Sequence, residues 1–318
     1  MDSQGKASVV RQYRVEAERN RFKNSKPLRC TGSSHHLMDG QPLKETAHFP
    51  LRTRFFSTRQ DNEYMIKWKS GIGNKNPSPG KMKKNMKARR SMPEASSVIL
   101  FVRSPERGKV KSRLAAAIGE KMALEVYKAF VLDIMETLKR GHYPFRIFFS
   151  PRNAEDRVTN WLGRDFMYSP QRGSDIGKKM ENAFVQSFSE GSERVVLIGS
   201  DIPDLPNSII HRAFSSLDKC DAVLGPASDG GYYLIGFKKT SFLPDVFHGI
   251  PWSTPSVYRE TMEVFRRSNY RVHTLRQWND VDTLDDLRAF FTRNQDTDFR
   301  ASLSMSLCRK IFQGIHDE

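Results

Sequence analysis

The sequence predicts an α/β protein built on a parallel sheet with helices packed on both of its faces. Two apolar runs, residues 97–102 and 195–198, do not alternate with polar residues, which is typical of strands buried on both faces. Stretches with the three-to-four-residue apolar spacing of amphipathic helices lie between such runs. This alternation of strand and helix predicts parallel strands joined by crossover helices.

The first half of the folded region supplies these elements in turn. The strand at 97–102 is followed by a basic loop and then by a helix. The apolar face of this helix includes Tyr127 and Leu138, and the helix ends at Gly141. We expect Asp175 to cap the last helix of this half, with a ligand contact as the alternative. The elements predicted after Gly141 are a strand at 145–149, a helix at 154–162, a helix at 176–188 and a strand at 195–198.

The second half continues the pattern but contains one hairpin signal. Asp229-Gly230-Gly231 separates two β-like runs, as turns between antiparallel strands do. Thr283 is the expected N-cap of a helix near the C-terminus. The remaining predicted elements are a helix at 207–217, a strand at 222–224, a run at 232–237 and a late strand at 271–275.

The chain has 318 residues and a formal net charge of +16, but the charge is concentrated near its start. Residues 1–96 hold 21 of the 52 Lys and Arg and only 8 of the 36 Asp and Glu, which leaves +3 for the rest. Low hydrophobicity with a one-sided charge predicts that residues 1–95 form a disordered basic extension. A tail that binds nucleic acid or a membrane surface is less favoured, because no aromatic residues are regularly interleaved. A third interpretation is that translation starts at Met92.

We expect one folded domain over residues 96–295 and a C-terminal tail at 296–318. Cys30, Cys220 and Cys308 are far apart in the sequence, which fits a reducing compartment and excludes a disulfide framework. No apolar stretch approaches the roughly 18 residues of a membrane span, and the chain does not begin with a signal peptide. A cytoplasmic protein is the expectation.

The first candidate functional residue is Asp201, which follows the buried strand at 195–198. Open α/β sheets bind ligands in the crevice outside the carboxyl ends of their strands, so a carboxylate at this point is well situated for a metal ion. The alternative, with about equal weight, is that Asp201 caps the helix that begins near Asn207.

A second candidate is the basic loop after the first strand. Backbone N–H groups and the start of the following helix provide partial positive charge there, which suits an anionic ligand such as a phosphate. A solvated basic turn is the structural alternative, and the loop is not a Walker A motif because Arg occupies the position of the first Gly. The basic side chains considered for phosphate binding are Arg103, Lys109, Lys111 and Arg113.

Two later stretches are candidates for substrate contact. The glycines after Asp229 allow a ligand to approach the backbone closely, although a structural hairpin needs no more than the same turn. In the loop Ile-Pro-Trp-Ser-Thr-Pro, we expect Thr254 to cap a helix with Pro255 in its first turn. The roles of Trp252 and Ser253 stay open at this point.

Five motifs occur in a fixed order along the folded region. They are Phe-Val-Arg-Ser-Pro with Gly-Lys-Val-Lys-Ser-Arg-Leu, Gly-Ser-Asp-Ile-Pro-Asp-Leu, Gly-Pro-Ala-Ser-Asp-Gly-Gly-Tyr-Tyr-Leu-Ile-Gly, Ile-Pro-Trp-Ser-Thr-Pro, and Asp-Val-Asp-Thr with a following Asp-Leu. This order resembles a bacterial family of GT-A-type glycosyltransferases, described as the arsenosugar-biosynthesis type and earlier as a family of unknown function. The wider superfamily is that of nucleotide-diphospho-sugar transferases, which also includes nucleotidylyltransferases.

The resemblance implies a three-layer, Rossmann-like mixed sheet of the GT-A type that is mostly parallel. Its first loop would hold a nucleotide with the phosphates near Lys109, Lys111 and Arg113. Asp201 and Asp282 match the positions that bind a divalent cation in the superfamily, which implies Mg²⁺ or Mn²⁺ as the cofactor.

The implied activity is transfer of a sugar from a nucleotide-sugar donor to a small-molecule acceptor. Negative charge grows on the departing nucleoside diphosphate, so a metal ion and a basic loop would stabilise its departure. Asp229 would orient or deprotonate the acceptor hydroxyl. The alternatives are a nucleotidylyltransferase, which joins a nucleoside triphosphate to a phosphorylated small molecule with release of pyrophosphate, and a nucleotide sensor without catalysis. The acceptor loop would consist of Gly230, Gly231, Tyr232, Trp252 and Ser253.

Overall fold

A computed structural model describes residues 96–314 of the chain. The basic extension expected at 1–95, with its alternative start at Met92, lies outside the described residues, as do residues 315–318. None of the helices between residues 96 and 314 combines the length and the apolar character that crossing a bilayer requires.

Seven strands form one sheet in the order β3-β2-β1-β4-β6-β5-β7. All neighbours pair in parallel except for β6, which runs antiparallel to β4 and β5. The mixed, mostly parallel sheet implied by the resemblance is therefore confirmed. The strands are β1 (Ser96–Arg103), β2 (Phe145–Ser150), β3 (Met167–Pro170), β4 (Arg194–Ile198), β5 (Ala222–Pro226), β6 (Tyr232–Lys238) and β7 (Val272–Thr274).

Eight α-helices accompany the strands of the described region. Asp175 caps α4 by accepting a hydrogen bond from the Lys178 N–H, and Thr283 forms a capping box with Asp286 at the start of α7. Both caps were predicted from the sequence. The helices are α1 (Ser112–Ile118), α2 (Glu120–Arg140), α3 (Glu155–Leu162), α4 (Ile176–Ser189), α5 (Asn207–Ser216), α6 (Val257–Arg267), α7 (Leu284–Asn294) and α8 (Leu303–Gly314).

The sheet separates two apolar cores, and alternate residues of β1 face each of them. Val98 and Leu100 pack with α2, α3 and α5 on one side, whereas Ile99 and Phe101 pack with α4 and α6 on the other. All four side chains are buried. Burial on both faces explains why β1 reads as an uninterrupted apolar run instead of an alternating one.

A third core extends the folded body beyond residue 295, where the sequence analysis placed a tail. Met305 and Cys308 of α8 are fully buried against α2 and α7. Asp133 of α2 accepts hydrogen bonds from the N–H groups of Leu303 and Ser304, at 3.1 and 2.8 Å, and so caps α8 from outside the helix. The apolar partners of α8 on α2 are distant in sequence, so a local pattern does not reveal this packing.

Candidate active site

Three segments meet at the carboxyl edge of the sheet. Strands β1 and β4 are parallel neighbours, so the loops that follow them leave the sheet at the same edge. The segment before α7 joins them there, because the Val281 N–H donates a hydrogen bond to the Asp201 carbonyl at 3.0 Å. Asp201 does not cap α5: this helix begins at Asn207, has Pro206 at its N-cap position and receives no side-chain cap.

Lys111 lies at the centre of this meeting point. Its ammonium contacts Asp201 Oδ1 at 2.5 Å, Asp282 Oδ1 at 2.7 Å and the Val281 carbonyl at 2.8 Å. The side chain is 3% exposed, and its Nζ lies 5.7 Å from the centre of the Phe130 ring. An ammonium has three protons, so these acceptors use all of them. Lys111 was predicted to bind a phosphate, and in this arrangement it has no donor left for one.

The backbone and the charge state of Lys111 both suit this position. The residue occupies the N-cap position of α1 with φ 48° and ψ 48°, in the left-handed region that a non-glycine residue rarely adopts. Burial alone would lower the pKa of the Lys111 ammonium, but the neighbouring carboxylates of Asp201 and Asp282 outweigh this effect and raise it. Lys111 is therefore charged at neutral pH.

Two more carboxylates contribute negative charge to this site. Burial, then the charges of Asp229, Asp282 and Asp201, raise the pKa of Asp280 to about 6. At neutral pH the four aspartates therefore carry more negative charge than the single ammonium of Lys111 neutralises. Asp280 was given no role from the sequence, because only the folded chain brings it near the other three.

The chemistry of these donors fits the divalent cation that the resemblance implies. Asp201 and Asp282 lie on different segments, yet one oxygen of each is directed at the same positively charged atom. Both side chains are partly exposed, at 53% and 39%, so a cation can reach them from solvent. Carboxylate oxygens are the ligands that Mg²⁺ and Mn²⁺ prefer. No group of three or more His, Cys, Asp or Glu within residues 96–314 has the geometry of a metal cage, so further ligands would come from water or substrate.

Asp204 connects the two segments that carry these carboxylates, and the sequence analysis missed it. Its side chain is 3% exposed and accepts two hydrogen bonds from Arg293, at 2.7 and 3.1 Å. It also accepts from Trp278 Nε1 at 3.1 Å and from Asn294 Nδ2 at 2.8 Å. These partners flank Asp282 on both sides in the sequence. Asp204 therefore fastens the turn after β4 to the segment that carries Asp282.

The segment from the end of β1 to the first turn of α1 presents three cations to solvent. Arg103, Lys109 and Arg113 are exposed, and their side chains form no hydrogen bond or ion pair with any residue in the described range 96–314. A fourth loop residue, Arg107, pairs with Glu120 at 3.2 Å. Arg107 is thus engaged by a carboxylate, whereas the other three side chains stay available to an anion.

The turn between β5 and β6 is a hairpin, as predicted, and it packs against the loop before α6. Asp229 Oδ1 accepts a hydrogen bond from the Gly231 N–H at 2.8 Å, and the Gly230 carbonyl accepts one from the Tyr258 N–H at 2.8 Å. Gly230 has φ +88°, and a Cβ at this position would lie 2.1 Å from the Pro255 carbonyl oxygen. The glycine is therefore required by both conformation and space.

Replacing Gly230 with Ala is expected to lower the free energy of unfolding by about 2 kcal/mol, because it adds a steric clash to a strained backbone. Gly231→Ala is the matched control, since its Cβ would meet only the Asp229 side chain, with Oδ1 nearest at 3.1 Å, and its φ is not in the left-handed region. Urea denaturation of the two variants measures the difference. Equal stability of both variants would contradict the tight packing of the hairpin on the α6 loop.

Trp252 and Tyr232 pack against each other beside this hairpin. Their rings contact edge to face with centres 6.4 Å apart, and a Cβ on Gly177 of α4 would lie 2.5 Å from Trp252 Cζ2. The neighbouring Ser253 is exposed and has φ 64°. The expectation that Thr254 caps a helix with Pro255 in its first turn is wrong, because α6 begins at Val257. The Thr254 hydroxyl instead donates to the Pro251 carbonyl at 2.7 Å, which closes the loop on itself.

The buried carboxylate of Glu181 contacts the chain just before the loop that contains Trp252. Glu181 of α4 has a side chain that is 2% exposed, and it pairs with Lys178 at 2.7 Å and with His248 Nε2 at 2.9 Å. His248 precedes Trp252 by four residues. This cluster was not predicted, because its side chains are separated by up to 70 residues along the chain.

An open cleft of about 440 Å³ lies between the hairpin and the start of α6. Ser228, Tyr258, Arg259 and Gln277 provide its polar side chains, and Gly230 lies in its wall. The cleft adjoins the hairpin that carries Asp229, whose charge reaches Asp280. Of the five predicted acceptor-loop residues, Gly230 lines this cleft and the other four do not, and Tyr232 and Trp252 pack against each other. The carboxylate pair of Asp201 and Asp282 does not line the cleft either.

Comparisons with known proteins agree with this architecture. The family model described as "Uncharacterized protein conserved in bacteria (DUF2064)" matches residues 131–254. The chain is similar to a protein from Desulfovibrio desulfuricans G20, solved at 1.90 Å and provisionally assigned as a nucleotide-diphospho-sugar transferase. The two are 42% identical, the similarity covers 70% of this chain and 97% of that chain, and the TM-score is 0.68.

Two further similarities are weak. The 4-diphosphocytidyl-2C-methyl-D-erythritol synthase of Anaerococcus prevotii DSM 20548 is 13% identical, with 63% of this chain and 100% of that chain covered and a TM-score of 0.43. A CMP:2-keto-3-deoxy-manno-octonic acid synthetase in complex with CTP is 10% identical, with 62% and 98% covered and a TM-score of 0.40. No curated protein matches the chain in sequence.

Proposed function

Since the chain belongs to the nucleotide-diphospho-sugar transferase superfamily, and to the same family as the Desulfovibrio desulfuricans protein, we propose that it is a metal-dependent glycosyltransferase. Its donor would be a nucleotide sugar and its acceptor a small molecule. The observation that supports this proposal most is the convergence of Asp201 and Asp282, which approach the same ammonium at 2.5 and 2.7 Å. Two carboxylates brought together at a strand end, beside a basic loop, suit a diphosphate and its cation.

In this proposal the basic loop binds the diphosphate of the donor. Arg103, Lys109 and Arg113 are the cations available to it, and guanidinium groups match phosphate oxygens with two parallel hydrogen bonds. Their charge opposes the negative charge that grows on the leaving nucleoside diphosphate. A divalent cation held by Asp201 and Asp282 would add Lewis-acid stabilisation of the same leaving group.

Asp229 is the proposed partner of the acceptor. One of its oxygens accepts a hydrogen bond from the Gly231 N–H, which fixes the carboxylate at the tip of the hairpin. Its second oxygen has no hydrogen bond from residues 96–314 and is available to accept one from an acceptor hydroxyl. The cleft beside the hairpin, with Tyr258 and Arg259 in its wall, is the proposed acceptor site.

The experiment that tests the proposal identifies the nucleotide product. The full-length chain is incubated with Mn²⁺ and a panel of uridine, guanosine and adenosine diphosphate sugars, each with a pool of small hydroxyl acceptors. We expect release of the nucleoside diphosphate from one donor and its loss on addition of a chelator. Parallel reactions contain nucleoside triphosphates and sugar phosphates. Release of pyrophosphate in these reactions, without nucleoside diphosphate in the first set, would replace glycosyl transfer with nucleotidylyl transfer.

A further inference from the structure

Lys111 has contacts that a phosphate-binding lysine does not have. Its three protons are donated to Asp201, Asp282 and the Val281 carbonyl, and its side chain is 3% exposed. Lys109, two residues earlier, is exposed and forms no ion pair within the described range. The folded chain therefore places one loop lysine in solvent and directs the other into the carboxylate pair.

The Lys111 ammonium lies between the two carboxylates that would hold a divalent cation. Its distances to Asp201 Oδ1 and Asp282 Oδ1 are 2.5 and 2.7 Å, whereas metal–oxygen distances are about 2.0–2.1 Å for Mg²⁺. Two cations cannot share this space, because their mutual repulsion would add to their overlap. Four methylene groups allow the ammonium to move away while the backbone of Lys111 stays in place.

We propose that Lys111 is an internal counter-ion of the carboxylate pair, which a divalent cation displaces, so that metal binding releases the Lys111 ammonium to the loop that receives the donor phosphates. This inference rests on the metal dependence of the proposed function. Lys111 keeps Asp201 and Asp282 together when no metal is bound, since two carboxylates without a cation between them would repel each other. Binding of the metal then adds a lysine to the phosphate site, which couples the assembly of the two sites.

The first test measures whether Mn²⁺ exposes Lys111 in the wild-type chain, with no substrate present. The protein is treated briefly with an acylating reagent for amines, and the modified lysines are quantified by peptide mass spectrometry. We expect Lys111 to react at least tenfold faster with saturating Mn²⁺ than without it, while Lys109 reacts at the same rate in both. Saturation with Mn²⁺ that leaves Lys111 protected would overturn the proposal without affecting the assignment of the reaction.

The second test compares Mn²⁺ binding by Lys111→Met and Lys109→Met in calorimetric titrations. Removing a competing cation is expected to lower the Mn²⁺ dissociation constant of Lys111→Met at least tenfold, and Lys109→Met should match the wild type. Lys111→Met is also expected to melt at a lower temperature than the wild type without Mn²⁺ and to regain stability with it. Equal or weaker Mn²⁺ binding by Lys111→Met would overturn the proposal, whereas failure of the proposed function would appear separately, in the nucleotide products.

Discussion

Replacing Asp201 with Asn is expected to lower kcat/KM for donor turnover by about a thousandfold or more. Each tenfold corresponds to about 1.4 kcal/mol, so the expected loss is about 4 kcal/mol of transition-state stabilisation. The physical reason is that Asn has the shape of Asp without the negative charge that a divalent cation requires from its ligands. The measurement is the rate of nucleoside diphosphate release at saturating Mn²⁺.

The fold should survive this change, because Lys111 retains Asp282 at 2.7 Å and the Val281 carbonyl at 2.8 Å. We expect a shift of a few degrees in the melting temperature. Asp285→Asn is the matched control: its side chain is 90% exposed in the first turn of α7 and, among residues 96–314, pairs only with Arg288. Its turnover should stay within about twofold of the wild type, since an exposed pair contributes little. Near-normal turnover of Asp201→Asn would remove Asp201 from the mechanism.

The sheet could be predicted because its central strands are buried on both faces. Continuous apolar runs at β1 and β4 have few structural interpretations, and the helices between them carry a regular apolar spacing. Strand β3, Met167–Pro170, was missed because it has four residues and ends in a proline. Its pairing with β2 depends on the sheet and not on its own composition.

The candidate site could be predicted in part, because residue type and chain position carry only some of the information. Asp201 and Asp282 were identified from the strand end and from the family motifs, and the fold brings both to one atom. Lys111 was assigned to phosphate from its charge, its place in the loop after the first strand and the family resemblance. Its left-handed backbone and its burial against α2 arise from tertiary contacts that a local pattern does not encode. Asp280 escaped notice for the same reason.

Asp204 lies in a motif from which only Asp201 was singled out as a candidate functional residue. It follows Asp201 by three residues in the same stretch, yet its partners are 74 to 90 residues further along the chain. The sequence marks Asp201 because a strand ends there. No feature of the neighbouring sequence shows whether Asp204 is solvated or is buried and accepts hydrogen bonds from three side chains.

Replacing Asp204 with Asn is expected to lower the free energy of unfolding by about 3–5 kcal/mol. The change leaves the Arg293 guanidinium partly buried without its counter-charge, and removal of one partner from a buried pair costs about this much. It also directs the amide –NH₂ at a site where all the neighbouring groups are donors. Chemical denaturation gives the difference, with Asp218→Asn as the control because its 61%-exposed carboxylate pairs with Arg194 at the surface. That control should change stability by less than about 1 kcal/mol.

A second comparison separates the lost ion pair from other effects of the Asn side chain. Arg293→Met alone should also destabilise the protein, since it leaves the Asp204 carboxylate buried without its cation. The double variant should cost less than the sum of the single ones, because no unpaired charge then remains inside. Additive costs would mean that Asp204 and Arg293 act independently, against the geometry of their two hydrogen bonds.

Asp204→Asn is also expected to weaken Mn²⁺ binding about tenfold or more under conditions in which the variant is still folded. Asp204 does not reach the carboxylate pair itself; its contacts with Trp278, Arg293 and Asn294 hold the segment that carries Asp282 against the turn that carries Asp201. Loss of these contacts would loosen both proposed ligands without removing either, and the outer partners of metal ligands commonly affect affinity to this extent. Calorimetric titration at a temperature well below the melting point measures the effect. Unchanged Mn²⁺ affinity in the folded variant would mean that Asp204 contributes to stability alone. The backbone hydrogen bond from the Val281 N–H to the Asp201 carbonyl would then suffice to align the two carboxylates.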